Sequence, residues 1–131
     1  MSTEGQPVAQ SSLVHVAGAF VLMGGWAVYA NSAHPMPAPL IAGAVQGALS
    51  GLITFGLKRL IERVSRQFSG LAGLLIPPIA AFAVSATLLT LLHAASGTPE
   101  IAATIAVPLT VSTSYAALYS WGLWNRQARM K

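Results

Sequence analysis

Few side chains in this sequence could do chemistry, and none of the charged ones lies inside a long apolar stretch. Of 131 residues, three are Asp or Glu, seven are Lys or Arg, three are His and none is Cys. Without cysteine the chain forms neither disulfides nor thiolate metal sites. An active site needs a nucleophile, a base or a metal cluster held together. Because no such set can be assembled, we predict that the protein is not an enzyme and has no catalytic residue, metal or cofactor.

The histidines are the candidates for a metal or pH-sensitive site. His15 lies near the start of the first apolar stretch and His93 just after the third, so about 30 Å of bilayer would separate them. His34, His93 and Glu100 fall on one side and could form a weak site together. No ligand spacing, such as two histidines one helical turn apart, supports such a site, so we favour ordinary interfacial side chains.

The second apolar stretch, at about residues 40–57, carries a glycine face and a polar stripe, each at four-residue spacing. Glycines at this spacing let two helix backbones approach closely. We predict helix packing within one bundle for this face and stripe; a homodimer contact and a hydrophilic path or ligand groove are the alternatives. The residues are Gly43, Gly47 and Gly51 for the face and Gln46, Ser50 and Thr54 for the stripe.

A cluster of basic residues follows the same stretch and returns at the end of the chain. Such a cluster could bind a phosphate headgroup, but we favour a role that only sets topology. Because the basic residues lie beside apolar stretches, we predict no nucleic-acid partner. The cluster consists of Lys58, Arg59, Arg63, Arg66 and Arg126.

The composition indicates the elements that must position these residues. Hydrophobic residues make up 54% of the chain and charged residues 8%, whereas soluble domains carry about 25% charged residues. Nothing alternates as barrel strands do, so apolar stretches rich in Ala, Leu and Gly indicate helices. The sequence predicts an all-α integral membrane protein with four transmembrane helices in one domain, at about 13–30, 40–57, 71–92 and 101–124.

Three further segments flank these spans. Residues 1–12 are predicted to be a disordered cytoplasmic tail, 58–69 a basic amphipathic cytoplasmic connection, and 126–131 a basic cytoplasmic tail. All Lys and Arg residues fall in the last two. The positive-inside rule therefore places both termini in the cytoplasm. From its short length and its four closely connected spans we predict a multi-pass protein of the bacterial inner membrane.

The two halves of the chain show a parallel similarity. An offset of sixty residues pairs Pro39 with Pro99 and Ile41 with Ile101 in the second and fourth spans. An offset two residues longer pairs the Ala-Phe dipeptides that end at Phe20 and Phe82 in the first and third spans. The pattern indicates a 2+2 parallel internal repeat, as some transporters have. Chance alignment of Ala-rich helices is the alternative.

Each half closes on an aromatic residue followed by basic ones, in Phe55-Gly-Leu-Lys-Arg59 and Trp121-Gly-Leu-Trp-Asn-Arg126, and the first span contains a double glycine at Gly25. In these features the chain resembles the GtrA-like family of small four-span proteins with two similar halves. The resemblance implies a role in handling polyprenyl-linked sugars. The family's Asn-Arg-Arg-aromatic ending is absent after the second span and partial after the fourth.

We therefore predict a non-enzymatic accessory or scaffold subunit that packs against other membrane proteins or itself. The alternative is a small transporter, a channel or a GtrA-like helper for lipid-linked sugars. The predicted partners are the lipid bilayer and either another membrane protein or further copies of the same chain.

Overall fold

The computed structural model describes the backbone of residues 5–130 and the side chains of residues 13–130. Residues 1–4 of the predicted tail and Lys131 lie outside the described residues. The prediction of an all-α protein with four helices is confirmed, and no strand occurs between residues 5 and 130. The helices are α1 (Gly5–Ala30), α2 (Ala38–Gln67), α3 (Gly70–Ala95) and α4 (Ile101–Arg129).

All four helices are long and apolar enough to cross a bilayer. They contain 26, 30, 26 and 29 residues, so at 1.5 Å per residue each is about 39–45 Å long. The helix α1 begins at Gly5, within the segment predicted to be a tail. The helix α2 continues without a break beyond residue 57, and only Phe68 and Ser69 separate it from α3.

Proline and glycine set several of the helix ends. Pro39 lies in the first turn of α2, where its missing N–H is no loss because that donor has no partner inside a helix. The end of α3 is closed by backbone bonds from Gly97 N to Ala94 O and from Thr98 N to His93 O. Gly97 has a φ of +74°, a left-handed conformation that favours glycine and completes this capping motif.

The helix α2 is the centre of the bundle. It packs against each of the other three helices, whereas α1 and α3 do not meet within the described residues. Its Leu57 and Ile61 form the apolar core with Ala81 of α3 and Ala116 of α4. Because Ile61 is fully buried, the apolar face of the basic segment packs inside the bundle.

A proline inside α3 is compensated by a side chain of α4. Pro78 has no N–H to donate to the carbonyl of Leu74, one turn earlier in the helix. The Ser120 hydroxyl of α4 donates to that carbonyl at 2.8 Å. The exchange satisfies the freed oxygen and ties the two helices together.

The contact between α1 and α2 depends on glycine at both surfaces. A Cβ atom on Gly24 would lie 2.9 Å from the backbone oxygen of Gly43. A Cβ on Gly43 would collide with Val28, and one on Gly47 would lie 3.0 Å from the Phe20 ring. The two backbones therefore approach more closely than any larger residue would permit.

We expect Gly24→Ala to lower the free energy of unfolding by about 1–3 kcal/mol, since the new methyl group meets backbone that cannot move aside. The matched control is Gly25→Ala, where a Cβ has nothing within 4 Å and alanine favours the helix. Thermal or denaturant unfolding of both variants in one detergent makes the comparison. Equal stabilities of the two variants would show that close backbone contact does not hold α1 in place.

Candidate functional site

The two ends of the bundle differ in chemistry. The turn end comprises residues 31–37 and 96–100, which connect α1 to α2 and α3 to α4. The basic end comprises residues 58–69 and 125–130 and carries every described Lys and Arg. Buried polar contacts concentrate near the turn end, and an open groove lies nearer the basic end.

At the turn end, Asn31 joins α1 to α4. Its side chain is fully buried. The Nδ2 group donates to Ala27 O and to Thr104 Oγ1, both at 2.8 Å, and Oδ1 accepts from the backbone N–H of Glu100 at 2.9 Å. Both N–H donors of this amide and its oxygen therefore form hydrogen bonds. The sequence analysis missed Asn31. The feature that could have indicated its role is an amide side chain directly after an apolar stretch.

A second buried group joins α3 to α2. His93 is fully buried, because α3 continues to Ala95 and carries the ring inward, away from the interfacial position expected for it. Its Nε2 lies 2.7 Å from Gln46 Oε1 and its Nδ1 lies 2.7 Å from Thr98 Oγ1. The Gln46 amide donates to Ser50 Oγ at 2.8 Å, so its oxygen accepts and His93 Nε2 donates.

The three groups weighed as one metal or pH-sensitive site are divided between two places. His34 Nε2 and Glu100 Oε1 lie 3.2 Å apart at the surface, where such a pair contributes little to stability. His93 lies inside the bundle with Gln46 and Thr98 instead. Among residues 13–130, no three His, Asp or Glu side chains come together as metal ligands.

A groove of about 900 Å³ opens between α1, α2 and α4, and we call it the basic groove. Near the turn end, α1 and α4 are tied by Asn31 and by the Trp26 indole, which donates to Ala103 O at 2.9 Å. The groove occupies the space between these helices beyond those ties. Its volume falls in the range of small-molecule sites.

The lining of the basic groove changes along the bundle. Its middle part is uncharged and combines apolar side chains with three hydroxyls: Ala19, Leu22, Met23, Ile53, Pro108 and Val111, with Ser50, Thr54 and Ser112. The charged and aromatic residues of the lining lie towards the basic end: His15, Phe55, Lys58, Arg59, Glu62, Tyr115 and Tyr119. The groove is therefore amphipathic along its length.

Glu62 is held at the charged part of the groove by α4. The Tyr119 hydroxyl donates to Glu62 Oε2, and the Tyr115 ring stacks on that of Tyr119 with centroids 5.8 Å apart. The Arg59 guanidinium lies 5.7 Å from the centre of the Phe55 ring. Sequence reasoning missed the two tyrosines as groove residues, although their four-residue spacing places them on one helix face.

The structure distributes the predicted packing and basic residues over several surfaces. Gly43 and Gly47 meet α1, and Gly51 lies near Val16 of the same helix. Gln46 and Ser50 are buried, whereas Thr54 is exposed in the groove. Lys58 and Arg59 line the groove, while the remaining members of the cluster are exposed and do not line it: Arg63, Arg66 and Arg126.

Comparison of the chain with protein-family models, curated proteins and solved structures finds no match. The resemblance to the GtrA-like family therefore rests on the residues quoted above.

We expect Gln46→Leu to lower the free energy of unfolding by about 1–3 kcal/mol, because it leaves the buried His93 Nε2 and Ser50 hydroxyl without this partner. Thr54→Val is the matched control: it lies on the same predicted stripe but is exposed, so we expect a change within about 0.5 kcal/mol. Denaturant unfolding in detergent measures both. A Gln46→Leu protein as stable as Thr54→Val would contradict a stabilising role for the His93 network.

Proposed function

We propose that this chain is a non-enzymatic, four-span protein of the bacterial inner membrane that binds an amphipathic molecule in the basic groove, as a small transporter or carrier would. The observation that carries the proposal is the division of the groove lining into an uncharged middle and a charged end. A molecule with an apolar body and a polar head matches that division. A helper for lipid-linked sugars is one form of this function.

The placement of the basic residues supports an orientation with both termini in the cytoplasm. The basic end contains every described Lys and Arg, and the turn end contains none. With the basic end in the cytoplasm, the charged part of the groove lies at the level of the inner headgroups and the uncharged part at the level of the acyl chains. An amphipathic molecule of the inner leaflet would then enter sideways between α1 and α4.

The buried polar ties support the 2+2 repeat. Asn31 and His93 are equivalent under the offset that pairs the first and third spans. Asn31 bonds to α4, and His93 bonds to α2. In each case the first helix of one half is therefore fastened to the second helix of the other half. A pseudo-two-fold arrangement of the halves produces this exchange of partners.

A specific observation also favours the accessory or scaffold function as a second candidate. Only 11% of the apolar segment of α1 is buried, against 44% for α2. Large side chains such as Leu13, Val21 and Leu22 leave α1 with a broad apolar surface. A helix of another membrane protein or of a second copy could pack there by van der Waals contact, although lipid tails cover such a surface equally well.

We expect Ser112→Trp to reduce the amount of amphipathic molecule that co-purifies with the protein by about tenfold, the effect of roughly 1.4 kcal/mol of lost binding. Ser112 lines the groove, so an indole there fills part of it. Ser114→Trp is the matched control, because Ser114 is an exposed serine two residues along α4 that does not line the groove. Native mass spectrometry after mild extraction compares the two variants, and equal loads would contradict binding in the groove.

The accessory function predicts a different result in a pull-down. The tagged protein, extracted in mild detergent, should then bring down one larger membrane complex in stoichiometric amount, identified by mass spectrometry. Recovery of the chain alone, or only as a defined oligomer, would exclude an accessory function towards another membrane protein and leave the groove-binding proposal standing.

A further inference from the structure

We infer that the basic groove selects a phospholipid-like molecule whose headgroup carries both a phosphate and a primary ammonium group. The inference rests on the proposed function, because it names the ligand class of the same groove. It comes from the signs and positions of the charges at the charged part of the lining, where two cations and one carboxylate face a common space.

Lys58 and Arg59 provide the phosphate side. Both line the groove and both are exposed, so a headgroup in the groove can reach them. The Arg59 guanidinium is positioned over the Phe55 ring, which holds the planar group at the groove wall. Guanidinium and ammonium groups are the ones that proteins use to bind phosphate oxygens.

Glu62 provides the ammonium side. It lies one helical turn beyond Lys58 on α2, a spacing that puts the two Cβ atoms about 5–6 Å apart on one face. Tyr119 donates to Glu62 Oε2, which fixes the carboxylate at the groove and leaves the lone pairs of Oε1 for another donor. Within residues 13–130, neither Lys58 nor any other lysine or arginine forms an ion pair with this carboxylate.

The aromatic rings add a second reason for a cationic group here. The stacked rings of Tyr115 and Tyr119 line the groove beside Glu62, and ring faces attract an ammonium ion. A headgroup with a phosphate alone would bind Lys58 and Arg59 but would bring no cationic group to the Glu62 carboxylate. A quaternary ammonium carries no N–H to donate to Oε1, so a primary ammonium makes the stronger contact.

The test presents the full-length protein with vesicles of equal parts phosphatidylethanolamine, phosphatidylglycerol and phosphatidylcholine, followed by native mass spectrometry of the retained lipid. We expect phosphatidylethanolamine to be enriched over both others. We expect Glu62→Gln to reduce its enrichment over phosphatidylglycerol by about tenfold, as loss of a charged hydrogen bond predicts. Glu100→Gln is the matched control, since Glu100 is an exposed glutamate at the turn end.

Three more variants separate the headgroup contacts from folding. Tyr119→Phe removes the hydrogen bond that fixes Glu62 but keeps the carboxylate and the aromatic ring, so the phosphatidylethanolamine preference should fall less than in Glu62→Gln. Lys58→Gln should lower retention of all three lipids alike, because all carry a phosphate, whereas Arg66→Gln outside the groove should leave retention unchanged. A Glu62→Gln protein with the wild-type lipid ratio overturns the inference.

The outcomes also distinguish this inference from the proposed function. Lipid that is retained, and lost in Ser112→Trp, but without preference among the three headgroups would sink the headgroup inference and keep the groove as a binding site. Equal lipid retention by the wild-type protein and Ser112→Trp would sink both.

Discussion

The structure depends on one constraint: a polar group buried among apolar helices is stabilised only by a partner inside the protein, since no water is available to it. The amide of Asn31, the ring of His93 and the carbonyl freed by Pro78 all obey it. In each case the partner belongs to a different helix. The few polar groups of a nearly uncharged chain thereby join α1 to α4, α3 to α2 and α4 to α3, while glycine packing joins α1 to α2.

Each surface of α2 has a different task. Gly43 and Gly47 admit the backbone of α1, Leu57 and Ile61 form the core with α3 and α4, and Gln46 receives the bond from His93. The same helix then carries Lys58, Arg59 and Glu62 into the groove. A single continuous helix thus fixes the groove charges relative to the core, because no flexible joint lies between them.

The sequence was sufficient to predict four apolar helices and their approximate positions, because hydropathy and proline placement are local signals. It was insufficient for features that arise when helices meet. Ile61 follows the apolar period of α2, but only the packing of Ala81 and Ala116 places it in the core. The spacing of Glu62 and Arg66 suggests a local pair, whereas Tyr119, fifty-seven residues away, is the partner of Glu62.

The bond from Ser120 to Leu74 O has a genetic consequence. Pro78 leaves the carbonyl of Leu74 without its usual helical donor, and the Ser120 hydroxyl replaces that donor. The contribution of the hydroxyl to stability therefore depends on proline being present at position 78. An alanine at position 78 restores the missing N–H and makes the hydroxyl dispensable. An alanine at position 120, with Pro78 still present, leaves the carbonyl of Leu74 without either donor. The two positions are therefore epistatic: a lineage that loses the proline first can lose the serine freely, but the reverse order passes through a weakened protein.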